Sequence, residues 1–218
     1  MSGDVPTDLE FQLIRSDPGE RRVREALGDL FSGDGTIYLV VGFFTYNGFR
    51  EIRDATARFL ERSPENELKV VVSPSSDQFS SRIARELRQL DPDDQVELYV
   101  FERGLHAKLY LRDGPDGHVI LTSANLTQVA FRYNVELGIE LVGDREHPQI
   151  RPFVEWVDEL VERARPVRRR DLLGPVQLVN TVINWTNKGR LLPVRHVARR
   201  IAPILLLALV FTVGARAV

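Results

Sequence analysis

The 218-residue chain contains no cysteine, so it holds neither disulfides nor thiolate-ligated metal sites. That composition suits a reducing compartment, or an exposed chain that needs no staples. The first residues, MSGDVPTDLE, lack the basic start and apolar run of a secretory signal. Histidine is sparse, with four in the chain, and no group of acids stands at metal-ligand spacing, so no metal site is evident, and no cofactor is expected. No internal repeat and no low-complexity tract interrupts the chain. Acidic residues run out after Asp171.

What is present is a globular composition, 43% hydrophobic and 28% charged, with an uneven charge distribution. Residues 1–150 carry 17 Lys and Arg against 26 Asp and Glu, whereas residues 151–200 carry 11 against 5. A basic segment of this kind suits a phosphate-rich partner, either nucleic acid or a lipid surface.

Apolar periodicity orders the first two thirds. Helical spacing over 19–31, 48–63 and 80–90 alternates with nearly continuous apolar runs at 36–44, 67–74 and 95–101, the pattern of strands buried on both faces. The order β-α-β-α-β predicts a parallel sheet with helices on its faces. LHAKLYLR and HVILTSAN then flank the turn-rich DGPDG as an antiparallel hairpin. NVELGIELV adds a strand, and 149–164 a helix with Pro152 in its first turn. The expected fold is therefore α/β, a mixed and mostly parallel sheet flanked by helices. The domain is expected at 1–165, followed by a basic linker at 166–200.

Residues Ile201–Ala215 are 15 uncharged positions preceded by Arg195, Arg199 and Arg200. They predict a C-terminal apolar helix, short for a transmembrane span of about 20 residues. With the basic residues on the cytoplasmic side, a membrane anchor is expected. The alternative is a cytoplasmic soluble protein whose apolar helix packs on the domain or in a dimer interface.

The hairpin carries the chemistry. If side chains alternate along LHAKLYL, His106, Lys108 and Tyr110 share a face. Ser123 and Asn125 share one in LTSANLT, and Asn134, Glu136, Gly138 and Glu140 share one in the next strand. An imidazole, a cation, two neutral donors and a carboxylate suit phosphoryl transfer to a histidine. His118, His147 and His196 have no such company and read as surface or structural.

His106-x-Lys108, Asp113, Thr122-Ser123-x-Asn125 and Glu136 resemble the HKD motif of phospholipase D-like enzymes, whose spacing is His-x-Lys-x4-Asp-x6-Gly-Ser-x-Asn. Here two extra residues separate Asp113 from Ser123, and Thr122 replaces the family's Gly. With YLVVGFFTYNGFREI and FVEWVDEL, the likeness extends over roughly 20–165, toward the nuclease-type domains found alone or fused to helicases. The resemblance implies the phospholipase D-like fold, with His106 as nucleophile, Lys108 and Asn125 on the phosphate, and Ser123 supporting phosphate or His106. It implies Glu136 bonded to the far side of His106, and Asp113 as structural. The family's reaction uses two such motifs, and this chain has one His-x-Lys, so a homodimer completing one site is expected. The implied function is a metal-independent phosphodiesterase, foremost a nuclease. A phospholipase or phosphatidyltransferase at the membrane, and a catalytically weak phosphate-binding module anchored there, are the alternatives.

Overall fold

Branched apolar runs supply the central strands. TIYLVV and ELKVVV have side chains that must be buried on both faces, and the structure gives them helices on either side. The computed structural model describes residues 8–16, 20–73, 81–91, 93–102 and 104–167. Its strands are β1 (Leu9–Arg15), β2 (Thr36–Val41), β3 (Glu67–Val72), β4 (Val96–Val100), β5 (Lys108–Asp113), β6 (Asp116–Thr122), β7 (Leu137–Asp144) and β8 (Arg165–Pro166). Its helices are α1 (Val23–Leu30), α2 (Tyr46–Arg62), α3 (Ser81–Gln89), α4 (Gln128–Arg132) and α5 (Arg151–Arg163).

The strands form one eight-stranded sheet in the order β1-β7-β6-β5-β2-β3-β4-β8. Only β2-β3 and β3-β4 are parallel; the other pairings of the described sheet are antiparallel. The sheet is mixed as expected but not mostly parallel. The hairpin β5-β6 docks against β2 with β5 antiparallel to it, and everything beyond follows that direction. β1 and β8 were not anticipated. LEFQLIR borders the polar N-terminal stretch, and a two-residue strand has no periodicity to read. The segments expected as basic linker beyond residue 167 and as apolar helix at 201–215 lie outside the described residues. Among the described residues, no helix is long and apolar enough to cross a membrane.

Two apolar layers hold the sheet. On one face, Ile37, Leu39, Val70, Leu98, Tyr110 and Ile120 pack against α1, α2, α3 and α4. On the other, Tyr38, Val40, Leu109, Leu111 and Val119 pack against Val154, Val157 and Leu160 of α5. In α2, Phe49, Ile52, Thr56, Phe59 and Leu60 are buried at helical spacing, and Thr45 caps the first turn by accepting from Gly48 N at 3.0 Å. Fully burying a side chain such as Phe59 contributes about 1.5–3 kcal/mol.

The first turn of α2 lies directly on the backbone that follows β6. A Cβ at Gly48 would meet the Leu126 carbonyl oxygen at 2.0 Å. Gly48→Ala therefore forces α2 away from Leu126, with an overpacking cost of about 1–3 kcal/mol. Denaturant unfolding should show a lower midpoint, and Asn125, next to Leu126, should lose its position at the same time.

A polar network interrupts the first apolar layer. His118, expected as surface or structural, is 3% exposed, with Nε2 2.8 Å from Glu140 Oε1. Arg21 closes on the same carboxylate through Nε at 2.5 Å and Nη2 at 2.8 Å, and reaches Asp29 at 2.6 Å. Burial opposes ionisation of Glu140, but bonds from His118 and Arg21 outweigh it and hold the carboxyl down at about 2. The folded value lies below the ordinary 4.5, so this stabilisation is present above pH 4.5 and is lost as pH falls toward 2. Glu140→Gln should lower stability at neutral pH by on the order of 3 kcal/mol. The gap between wild type and variant should close in that acid window when urea midpoints are compared across pH.

Candidate active site

The motif residues lie at strand ends. β5 begins at Lys108, so His106 belongs to the approach to the strand and is exposed, while Leu105 is buried in the α5-side layer. Ser123 and Asn125 follow the end of β6, and Glu136 immediately precedes β7. The expectation that three strands pool these side chains on one sheet face is corrected. They meet at one end of the sheet, where β5 and β7 start and β2 and β6 finish. Tyr110, expected beside His106 and Lys108, is instead fully buried, and its hydroxyl donates to Ala124 O at 3.0 Å.

The segments after β2 and β6 run side by side at this end. Leu126 N donates to Phe43 O at 3.2 Å, and Thr45 N to Leu126 O at 3.1 Å. This pairing sets Asn125: its Oδ1 accepts from Phe43 N at 3.1 Å, which leaves the side-chain NH2 as the donor for a ligand. Gly42 sits beneath. A Cβ there would lie 2.8 Å from Leu105 O, 3.7 Å from Asn125 Oδ1 and 3.9 Å from His106 Cα. His106 and Asn125 thus approach each other over a residue that has no room for a side chain. Lys108 Nζ donates to His106 O at 2.7 Å and lies 3.5 Å from His106 Nδ1. Imidazole, ammonium and amide thus lie together at this open end of the sheet.

Glu136 is 7% exposed and does not bond His106, contrary to expectation. Asn134 Nδ2 donates to its Oε1 at 3.0 Å, and Ser123 Oγ donates to its Oε2. Ser123 also accepts from Leu137 N at 3.1 Å, so its hydroxyl proton is committed to Glu136 and not to a phosphate. Ser16 completes this layer by accepting from Glu136 N at 3.0 Å. Sequence reasoning does not reach Ser16, Gly42 or the Phe43 amide. Asn134 falls on the expected face without a role, and GFFTYNGF holds the hint of Gly42 and Phe43. Ser16 follows an unanticipated strand and leaves no signal.

Of the two departures from the family spacing, Thr122 lies at the site end of β6 and the extra residues lie toward the opposite end. Thr122 pairs with Gly138 in the β6-β7 register, and its Oγ donates to Leu137 O at 3.1 Å and accepts from Ala124 N at 3.2 Å. Gly138 leaves room for it: a Cβ there would lie 2.8 Å from Thr122 Cβ. The two extra residues fall after Asp113, in the turn and β6, while β5 keeps the His-to-Asp spacing of the motif. Asp113 holds that far end through Arg145, with Nη2 3.1 Å from Oδ2.

Residues 34–161, more than half of the chain, match the family described as "Cardiolipin synthase, PLD-like domain". The chain belongs to this phospholipase D-like family. Solved structures agree on the fold of this PLD-like domain. Nuc from Salmonella typhimurium, a phospholipase D family member, superposes with a TM-score of 0.59 at 19% identity, covering 74% of this chain and 99% of that one. NucT from Helicobacter pylori gives 0.54 at 18%, covering 73% and 100%. Phosphatidylserine synthase from Haemophilus influenzae gives 0.60 at 16%, covering 94% of this chain but 48% of the other. No curated protein matches the sequence. Membership places the PLD-like domain in a superfamily of phosphodiesterases. Among its described residues, no group of three or more His, Asp or Glu is arranged to hold a metal ion.

Proposed function

We propose that the protein is a metal-independent phosphodiesterase, acting as a nuclease through a phosphohistidine in a site completed by a second copy of the chain. The observation that carries this reading is the convergence of His106, Lys108 and the free amide of Asn125 over Gly42. Lys108 and Asn125 neutralise and hold the non-bridging oxygens. A ring nitrogen of His106 attacks phosphorus as the P–O bond to the leaving group breaks. The leaving oxygen takes its proton from the second copy's His106. Water then attacks the phosphohistidine, giving that imidazole its proton and releasing the phosphate from His106. Glu136, held by Ser123 and Asn134, supports the strand ends from beneath.

The second copy has a surface to occupy. On the α5 face, register aligns Val40, Leu109, Leu121, Ile139 and Leu13 in one row. α5 covers the Val40 and Leu109 end and leaves Leu121 40%, Leu13 44%, Phe11 61% and Leu137 59% exposed. Leu121 and Leu137 adjoin Thr122 and Glu136, so this apolar face is continuous with the reacting edge. An exposed patch of this kind marks an association surface.

Because His, Lys and Asn supply nucleophile, cation and donor themselves, cleavage of bis-p-nitrophenyl phosphate and of an oligonucleotide should persist in excess EDTA. Activity abolished by the chelator and restored by Mg²⁺ would falsify the metal-independent reading. Phosphatidylcholine turned over in preference to single-stranded DNA, duplex DNA and RNA would move the protein to the phospholipase reading.

A further inference from the structure

Beside the reacting edge, on the face that carries α1, α2 and α4, two grooves meet. One, of about 430 Å³, runs between α1 and α2 and is lined by Arg24, Arg50, Arg58 and Arg132. The other is lined by Arg22, Arg24, Arg132 and Tyr133. Arg24 and Arg132 belong to both, so the two form one strip. The acids along it are Glu25, Glu51 and Asp54, against five arginines, in a stretch of chain where acids outnumber bases 26 to 17. Glu51 is a pin, not a competitor for ligands. Its side chain is 5% exposed and takes Arg132 in a two-pronged bond, Nε at 2.8 Å and Nη2 at 3.1 Å, with Arg24 at 3.6 Å. The two guanidiniums are thereby set in place with their remaining N–H groups available. Arg50 and Arg58 are exposed.

Tyr133 is 75% exposed. It closes α4, the short helix that begins three residues after Asn125, and it precedes Asn134, which holds Glu136. The strip therefore starts on the same segment that builds the site. Arginine forks recognise phosphate, and an uncovered ring offers a face for a base. A duplex keeps its bases stacked inside, so the ring serves only an unpaired base. Val129 and Val135 are also exposed beside Tyr133, so a lipid surface is the competing partner that the vesicle arm of the test decides.

Resting on the nuclease reading, we infer that the strip of Arg22, Arg24, Arg50, Arg58, Arg132 and Tyr133 binds the flanking part of a single-stranded nucleic acid, outside the phosphate being cleaved. The strand lies along the α1–α2 groove with its phosphates on the arginines and one base against Tyr133. The strip sets affinity for long substrates and leaves the chemistry at His106 unchanged.

The test uses the full chain with Arg50→Glu/Arg58→Glu and, separately, Tyr133→Ala. Anisotropy of a labelled oligo(dT), read with each change placed in a His106→Ala background so that the probe is not cleaved, should show binding weakened about tenfold or more in each. The charge variant should also show a salt dependence shallower by about 0.7 in log–log slope for each phosphate that is no longer neutralised. Turnover of bis-p-nitrophenyl phosphate, which reaches only the site, should stay at the wild-type level. Wild-type oligonucleotide affinity and salt slope in both variants would overturn this inference and leave the nuclease reading standing. So would equal affinity for duplex and single strand, or loss of small-substrate turnover in step with binding. A wild-type chain that hydrolyses the small diester but binds no oligonucleotide, or that binds anionic phospholipid vesicles through these residues instead, would overturn both.

Discussion

His106→Ala is expected to give a folded protein with phosphodiesterase activity reduced about a thousandfold or more. The side chain is exposed at the sheet edge, ahead of β5, and its ring makes one long contact, to Lys108 Nζ at 3.5 Å. Removing it opens no cavity and leaves no buried polar group unpaired, so the unfolding midpoint should stay within the small range of surface substitutions. The loss falls on chemistry, because no other imidazole of the described chain stands at this edge; His118 is committed to Glu140. Lys108→Ala and Asn125→Ala should each lower the rate by about two orders of magnitude, the scale of one missing donor to a developing oxyanion. Single-turnover rates on bis-p-nitrophenyl phosphate, paired with denaturant curves, separate the two effects. Near wild-type turnover in His106→Ala would place the nucleophile elsewhere.

The contrast with Glu136 shows where sequence reasoning reaches and where it stops. Spacing along the hairpin identifies His106, Lys108, Ser123, Asn125 and Glu136, and the structure gathers all of them at one end of the sheet. Alternation assigns them to a face on the assumption that the strands run through them. They do not: β5 starts at Lys108 and β6 stops at Thr122, because the segments after β2 and β6 pair with each other there. That pairing joins residues 44 and 126, and no local pattern announces a contact at such separation. The same limit explains the sheet. Apolar runs locate β2, β3 and β4, but the direction of β5 against β2 is a tertiary choice, which turns a mostly parallel expectation into a mostly antiparallel sheet. Glu140 is legible as a site-facing carboxylate and proves to be the partner of His118 and Arg21. The residues that orient the site, Ser16, Gly42 and Asn134, act through backbone amides, close approach and a carboxylate. Each is a common residue in an ordinary stretch.

Mixed dimers should behave as broken enzymes. The proposed reaction needs one imidazole neutral, to attack, and one protonated, to protonate the leaving oxygen. Each chain contributes a single His106, so both roles are filled only when two intact chains meet. The two histidines are chemically alike until substrate distinguishes them. Activity should therefore follow a bell-shaped pH curve, falling when both rings are charged and when both are neutral. A dimer assembled from one wild-type and one His106→Ala chain, isolated by two different affinity tags, keeps a nucleophile without its acid, or the reverse. Its rate should fall about a hundredfold or more, the scale of a missing general acid. With free exchange at equal amounts of the two chains, activity per wild-type chain should drop to about one half, and with a threefold excess of variant to about one quarter, because intact pairs form by chance. Replacing Leu13 and Leu121 by charged residues should act in the same direction by a different route. These side chains are 44% and 40% exposed on the uncovered apolar face beside the reacting edge, and burying a charge there opposes association. Light scattering should then show monomers whose His106, Lys108 and Asn125 are intact and whose turnover is abolished, with recovery as protein concentration rises. Constant activity per wild-type chain in the mixtures, or a fully active monomer, would remove the shared site and leave one chain to supply both proton-transfer roles.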